Sequence, residues 1–256
     1  MEDYRIVIAS KARSHLIAKQ TIGFLVKNKI DISKVDIFLG SKEEEHDYKK
    51  ALKGIYLKPY IIHLQKDLMS IVNYIHHYYK YETDVKWLLR LDDDIIDIID
   101  KNGKGIQGFD NFIKEMFKFT EENSLSLWGI NAYDNPFFFK DTITTNLKYI
   151  VGALNGWVIR RDRHDLVTWS SHYEDVIMTC EAFLRDGGVV RNNRYGIITK
   201  YFGEGGMNCS REEVEKRKKD SCEIGLEVAG RYGDMVRLVK KKDMYDIRLN
   251  HNFKLN

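Results

Sequence analysis

The sequence predicts an α/β fold in which a mostly parallel sheet continues into a mixed sheet within one domain. Over the first hundred residues, strand-like segments alternate with helical segments, which is typical of a parallel sheet with right-handed crossovers. The second half is less regular. Three consecutive aspartates, Asp92, Asp93 and Asp94, come directly after the fourth predicted strand. Ligands bind such sheets beyond the carboxyl ends of the strands, so we expect the aspartates at the binding edge.

Hydrophobic periodicity predicts the individual elements. The first half has strands over 5–8, 35–39, 60–63 and 86–91, with helices over 14–27, 41–52 and 68–81 between them. Ser41 and Glu44 have the spacing of a capping box at the start of the second helix. The second half has helices over 110–122, 173–185 and 210–230 and extended segments over 125–133, 149–160, 189–201 and 235–239. We expect poor order after residue 239.

Length and composition indicate a single compact unit. The 256 residues contain only two prolines and no linker-like stretch. We therefore expect one domain over 1–256, with a nucleotide-binding half over 1–100 and an acceptor-binding half over 101–256. The three cysteines lack the paired spacing of a zinc site or a disulfide framework, which is typical of a reducing compartment. With no leader and no membrane-spanning apolar stretch, we expect a cytoplasmic protein without membrane contact.

The net charge of +3 is modest, but the basic residues are concentrated in the last fifth of the chain. Such a carboxyl-terminal region could follow a phosphate backbone. Glutamates are interleaved with the first of these basic residues, so a solvated helix face is an equal alternative there. The basic residues are Arg211, Lys216, Arg217, Lys218, Lys219, Arg231, Arg237, Lys240, Lys241 and Lys242.

Adjacent carboxylates at a strand end are costly unless a cation neutralises them. Hard oxygen ligands select Mg²⁺ or Mn²⁺, and these ions commonly bridge carboxylates to nucleotide phosphates. If the backbone is extended, Asp92 and Asp94 project on one side and hold the metal, with Asp92 also placed to meet a nucleotide, while Asp93 points the other way. The alternative is a solvated turn. The phosphate-binding motifs of NTPases and dehydrogenases are absent, which favours a nucleotide-dependent transferase.

Four further residues are candidates for the same site. Ser10 and Arg13 follow the first strand and could hold a nucleotide base, ribose or phosphate, or could be a turn residue and a surface charge. Glu174 and Asp175 open a predicted helix. Acidic residues in a first turn commonly cap a helix. The functional hypothesis is that one of them, Asp175 by preference, is the general base that accepts a proton from an acceptor hydroxyl.

Three other residues are candidates for the walls of the nucleotide-sugar pocket. Trp128 and Asn131 belong to a polar and aromatic stretch that could line a sugar or a base, although aromatic residues in such a strand are more often core. Gly156 interrupts a strand, which indicates either close backbone approach to a ligand or a bulge.

The order of these segments resembles the glycosyltransferases associated with base J synthesis and with phage DNA hypermodification. The resemblance covers about the first four-fifths of the chain. At Ala9, Lys11 and Val72 the chain departs from the residues usual in that family. The matching segments are Ile6 to Arg13, Thr21, Val35 to Leu39, the 42–52 helix, Leu91 to Ile95, Trp128 to Ile130, Asn135, Phe137, Phe138, Gly152, Gly156, Glu174, Asp175, Gly188, Arg191, Gly205 and Gly206.

The resemblance implies a GT-A-like fold and a metal-dependent glycosyltransferase. The donor would be a UDP-sugar, bound by the Mn²⁺ or Mg²⁺ site together with Ser10, Arg13, Asp92 and Asp93. The acceptor would be the hydroxymethyl group of 5-hydroxymethylcytosine or 5-hydroxymethyluracil in phage DNA, in the cytoplasm of the bacterial host. The alternatives are a glycan, lipid or protein acceptor, or an inactive module that binds a nucleotide sugar or DNA.

Overall fold

The computed structural model describes residues 4–65, 67–199, 211–241 and 244–255 and confirms the α/β fold class. The helices are α1 (Ser14–Ile17), continued by a π turn (Ala18–Ile22) into α2 (Gly23–Lys27), then α3 (Glu45–Ala51), α4 (Leu68–Tyr81), α5 (Phe109–Glu122), α6 (Glu174–Asp186) and α7 (Arg211–Tyr232). The strands are β1 (Tyr4–Ser10), β2 (Val35–Leu39), β3 (Ile61–Ile62), β4 (Trp87–Leu91), β5 (Ile95–Asp100), β6 (Leu127–Asn131), β7 (Ile143–Thr144), β8 (Leu154–Val158), β9 (Val190–Thr199), β10 (Val236–Lys241) and β11 (Met244–Leu249).

Nine strands form one continuous sheet in the order β3-β2-β1-β4-β8-β6-β9-β5, with β7 paired to β9. The neighbours from β3 to β4 are parallel, as predicted for the first half. β8 is antiparallel to both β4 and β6, which makes β6 parallel to β4. The carboxyl ends of β1, β2, β4 and β6 therefore meet the amino end of β8 at one edge. This edge carries the aspartates.

Alternate residues of the central strands face two separate cores. On β4, Trp87, Leu89 and Leu91 pack with α1, α2 and α5, whereas Leu88 packs with α4 and α6 on the opposite face. The acidic start of α6 is therefore on the same face of the sheet as α4.

The segment around Trp128 and Gly156 is part of the first core. Trp128 is fully buried and meets Phe112 and Phe117 edge to face, with ring centroids 6.0 and 5.3 Å apart. Gly156 on β8 is paired with Trp128 on β6, and a Cβ atom at Gly156 would lie 2.0 Å from the Trp128 indole Nε1. Gly156 thus permits close approach, as predicted, but the group that approaches is the Trp128 side chain.

Two local predictions are wrong. Ser41 and Glu44 do not form a capping box, because α3 begins at Glu45 and the Glu44 carboxylate accepts a hydrogen bond from the Ala12 N–H instead (2.7 Å). The 149–160 segment is extended as a strand only over Leu154–Val158. Ser210, at the start of the last predicted helix, and Gly205 and Gly206 lie outside the described residues.

The carboxyl-terminal region is more ordered than predicted. β10 and β11 form an antiparallel hairpin after α7, and Val236 and Leu249 at its open end are buried in the second core. The strand that pairs with β10 lies beyond residue 239, where the low hydrophobicity of the sequence gave no strand signal. The hairpin holds Arg237, Lys240 and Lys241 on a folded surface.

We predict that Gly156→Ala destabilises the protein by about 1–3 kcal/mol, because the new methyl group overlaps the buried Trp128 indole. Gly230→Ala is the matched control: a Cβ at Gly230 meets no atom within 4 Å, and alanine in a helix gains roughly 0.5–1 kcal/mol over glycine. Chemical denaturation measures both. Equal stability of the two variants would contradict the packing role of Gly156.

Candidate functional site

The three aspartates form a turn that is anchored from two sides. The Asp92 N–H donates to the Ala153 carbonyl at the amino end of β8 (2.9 Å). The Thr21 hydroxyl donates to the Asp92 carbonyl (2.7 Å) and accepts from the Ile95 N–H (2.9 Å). A single buried threonine therefore closes the turn around the aspartates and fixes it to the helix that follows β1.

Asp93 faces inward and is fully engaged by the protein. Its side chain accepts hydrogen bonds from the Ser10 hydroxyl (2.5 Å) and from Arg13 Nη1 (3.0 Å). Ser10 also shares a hydrogen bond with the Tyr48 hydroxyl (2.7 Å), and that hydroxyl accepts from the Arg13 N–H (3.1 Å). The structure thus brings Ser10, Arg13 and Asp93 together in one buried network.

Asp92 and Asp94 are in a different electrostatic situation. Both are only partly buried, and within the described part of the chain no side chain or N–H donates to the Asp92 carboxylate. Burial raises the pKa of Asp92 to about 7; Arg90 opposes this rise, and Asp94 and Asp93 add to it. Burial and Asp93 also raise the pKa of Asp94, against the nearby Arg13, whose Nη1 is 3.6 Å away.

Such a carboxylate pair suits a divalent cation. A cation between Asp92 and Asp94 would offset both the burial of the two carboxylates and the repulsion among the three aspartates, which together raise the two pKa values. Within the described ranges, no group of three or more His, Cys, Asp or Glu side chains is arranged to hold a metal ion. Mg²⁺ needs only one or two carboxylates when substrate phosphates and waters supply the other ligands. Asp92 and Asp94 therefore fit an ion that binds together with a phosphorylated ligand.

Glu174, at the first position of α6, is buried against β4. It forms a two-point ion pair with Arg90, at 2.6 Å (Nη1 to Oε1) and 3.3 Å (Nη2 to Oε2), and both side chains are less than a tenth exposed. Glu174 therefore has a structural partner and is placed to position its neighbour Asp175.

Asp175 keeps partial exposure at the same helix start. Its carboxylate accepts hydrogen bonds from the Tyr149 hydroxyl and from the Gly152 N–H (3.4 Å). Burial and the neighbouring Glu174 raise its pKa, against the Tyr149 and Gly152 hydrogen bonds. Gly152 directly precedes Ala153, the acceptor for the Asp92 N–H. One short segment thus contacts both the aspartate turn and Asp175, so these two groups lie side by side.

Asn131, Trp128 and Gly156 lie apart from this cluster. The Asn131 amide donates to the Asn193 and Tyr195 carbonyls of β9 (2.9 and 2.8 Å) and is buried. Trp128 and Gly156 are in the core. The structure places all three in sheet packing, so we leave them out of the proposed site.

Arg90, Tyr48 and Tyr149 were not among the predicted site residues. A signal existed for Arg90, since a charge within an otherwise apolar strand needs a buried partner. Tyr48 and Tyr149 carry no local signal, because their roles depend on contacts with Ser10 and Asp175, which are distant in sequence.

Comparison with known proteins gives matches in structure only. No family model and no curated protein matches the sequence. The structure of residues 1–349 of S. aureus TarS in complex with UDP-GlcNAc aligns with a TM-score of 0.58 and 14% identity, over 89% of this chain and 66% of that one. A second S. aureus TarS structure aligns with a TM-score of 0.51 and 11% identity, over 89% and 40%. The chain has a GT-A-like fold.

This GT-A-like chain spans less than two thirds of the length of either TarS structure. Within its described residues, no helix combines the length and the apolar character that crossing a membrane requires.

We predict that Glu174→Leu destabilises the GT-A-like fold by about 3–5 kcal/mol, because the buried Arg90 guanidinium loses its hydrogen-bonded carboxylate. The double variant Arg90→Leu/Glu174→Leu should recover much of this loss. Glu122→Leu is the control, since it removes an exposed ion pair with Lys118 and should cost less than about 1 kcal/mol. Denaturant titration measures all three. If Glu174→Leu lowered the free energy of unfolding no more than Glu122→Leu, the structural role of the Arg90–Glu174 pair would be contradicted.

Proposed function

We propose that the chain is a metal-dependent glycosyltransferase that moves a sugar from a UDP-sugar to a hydroxymethylated pyrimidine in DNA. The observation that carries the proposal is the carboxylate pair Asp92 and Asp94, left with raised pKa values at the binding edge of the sheet. Its support from comparison is the shared fold with TarS, which is in complex with UDP-GlcNAc. The site has a donor side and an acceptor side.

On the donor side, Asp92 and Asp94 would hold Mn²⁺ or Mg²⁺. As a Lewis acid, the ion would stabilise the negative charge that develops on the departing diphosphate. Arg13 adds a fixed positive charge beside Asp94. Ser10 and Asp93 act by holding Arg13 in place through the Tyr48 network.

On the acceptor side, Asp175 is the general base. Its carboxylate takes the proton of the acceptor hydroxyl while that oxygen forms a bond to the anomeric carbon of the sugar. The bond from the anomeric carbon to the diphosphate breaks, and UDP leaves with the electron pair. Glu174 does not contact the acceptor, since Arg90 occupies its carboxylate. It keeps Asp175 at the site.

The DNA acceptor rests on the resemblance in sequence order and on the surplus of basic residues. 5-Hydroxymethylcytosine and 5-hydroxymethyluracil offer the primary hydroxyl that this chemistry needs. A glycan, lipid or protein acceptor would use the same donor side, so the acceptor assay decides between them.

We predict that Asp94→Ala lowers the transfer rate by more than about a hundredfold, because the metal loses a carboxylate ligand. The assay combines hydroxymethylcytosine DNA, a panel of UDP-sugars and Mn²⁺, and measures the mass of the released nucleosides. Asp97→Ala is the control. Asp97 lies on β5 and pairs with the exposed Lys27 of α2, so this variant should keep the wild-type transfer rate.

Three results would contradict the proposal. Full activity of Asp94→Ala without metal would refute the metal site. Transfer only to a glycan, lipid or protein would refute the DNA acceptor. No UDP release from any UDP-sugar would refute the transferase and leave a binding module.

We predict that Tyr149→Phe moves the acid limb of the rate profile to higher pH. Asp175 acts as a base only when ionised, so the rate falls as pH drops through its raised pKa. The Tyr149 hydroxyl stabilises the ionised form, and its loss raises the pKa of Asp175 further. Tyr232→Phe is the control. It removes a hydrogen bond from α7 to Glu181, which lies on α6 as Asp175 does, and it should leave the acid limb at the wild-type pH. An unchanged limb in Tyr149→Phe would remove Asp175 from the base role, as expected for a retaining mechanism.

A further inference from the structure

A cluster of cations lies on the acceptor side of the sheet and has no part in the site described above. β7 pairs Thr144 with Arg191 of β9, and the Lys140 N–H donates to the Asn193 carbonyl on the same strand (3.0 Å). The loop after β7 brings in Lys148, next to Leu147, whose carbonyl contacts His251 Nδ1 (2.9 Å). The cation cluster therefore consists of Lys140, Lys148 and Arg191, with His251 beside it.

The cation cluster lacks an acidic counterpart. Across the described ranges, no carboxylate forms an ion pair with Lys140, Lys148 or Arg191, and the Arg191 side chain donates only from Nε to Asn193 Oδ1 (2.7 Å). Arg194, on the same strand, shows the usual arrangement, with Asp141 at 2.5 Å. Lys148 and Arg191 are partly buried. Burying like charges together is unfavourable unless an anion joins them.

The electrostatics of the cluster agree with this geometry. Burial lowers the pKa of Arg191, and the charge interaction with Tyr133 opposes this change. Burial also lowers the pKa of Lys148, and Arg191 and Lys140 lower it further. The other two cations therefore make Lys148 harder to charge, and a bound anion would reverse that effect.

The position of the cluster separates it from the donor diphosphate. β9 is the third strand from β4 in the sheet order, and strands are spaced about 4.8 Å apart, so Arg191 lies roughly 14 Å from the end of β4. Lys148, by contrast, directly precedes Tyr149, whose hydroxyl donates to Asp175. Lys148 is thus one residue from the tyrosine that contacts Asp175, whereas Arg191 lies three strands away from the strand that carries the metal ligands.

Exposed aromatic side chains follow the carboxyl end of β6, at the edge of the sheet that carries the aspartates. Tyr133, Phe137 and Phe138 are 58%, 86% and 56% exposed, and the Phe138 ring contacts the other two. Exposed rings near unpaired cations are the combination by which proteins bind nucleic acids, with rings for base faces and cations for phosphates. A neutral glycan would need no such cations.

We propose that Lys148 and Arg191, with Lys140, bind a backbone phosphate of the acceptor DNA next to the pyrimidine presented to Asp175. This inference rests on the proposed function and adds the contact that would place the DNA strand. The phosphate replaces the missing carboxylate partner of the cluster. A bidentate contact suits the Arg191 guanidinium, and Lys148 adds a point charge.

The test measures the affinity of a hydroxymethylcytosine duplex by fluorescence anisotropy over a range of salt concentrations. Lys148→Gln and Arg191→Gln should each weaken binding on the order of tenfold and reduce the slope of log affinity against log salt by about one. Lys118→Gln, an equal loss of charge on α5 at the opposite face, should change neither quantity. UDP affinity should stay at the wild-type value in all three.

A thermal melt excludes misfolding as the cause. Lys148→Gln removes one of several repelling charges, so its melting temperature should equal or exceed that of the wild type. A lower melting temperature together with lost UDP affinity would indicate a structural role and overturn the inference.

The outcomes separate this inference from the proposed function. If the wild type transfers sugar to DNA while Lys148→Gln keeps the wild-type salt slope and KM for DNA, the phosphate contact is refuted and the function stands. If no transfer to DNA occurs but Lys148→Gln and Arg191→Gln still weaken duplex binding, the function fails and the phosphate contact stands. If inorganic pyrophosphate stabilises the wild type but not Lys148→Gln, and DNA binding is equal in both, the cluster serves a free phosphate compound and the DNA contact is refuted.

Discussion

The ion pair between Arg90 and Glu174 is the interaction on which the geometry of the site depends. Arg90 is two residues before Asp92, and Glu174 directly precedes Asp175, so one two-point contact sets the spacing between the aspartate turn and the proposed base. Buried ion pairs contribute little net stability, because desolvation offsets their attraction. Their better attested role is to select one packing of the chain over alternatives. Here the ion pair fixes α6 of the second half against β4 of the first.

The molecule leaves charge unbalanced at two places, with opposite signs. At the end of β4, burial and repulsion by neighbouring aspartates raise the pKa values of Asp92 and Asp94. On β9 and the loop after β7, the same two effects lower the pKa of Lys148. Folding tolerates such costs where a ligand later removes them, and a cation with a diphosphate at one place and a phosphate at the other would do so. Asp36 shows the contrast, since Arg5, Lys58 and Tyr79 all bind it and lower its pKa.

Local pattern was sufficient for elements that depend on local physics. The sequence predicted α4 and β2 with their observed bounds, since hydrophobic periodicity alone defines them. Prediction from sequence failed where a contact with a residue distant in sequence determines the structure. Glu44 does not form the predicted capping box, because its carboxylate accepts a hydrogen bond from the Ala12 N–H. Ala12 is in a left-handed conformation, with φ 54°. The sequence left both a ligand wall and a packed core open for Trp128, with core the commoner case, and its contacts with Phe112 and Phe117 from α5 show the packed core.

The middle aspartate of the turn has a different role from the outer two. Asp93 is buried, and its carboxylate binds Ser10 and Arg13. That inward contact holds the Arg13 guanidinium 3.6 Å from Asp94. The same carboxylate raises the pKa of Asp94 and places the arginine that lowers it. Asp93 therefore raises the pKa of both outer carboxylates and places Arg13 beside Asp94.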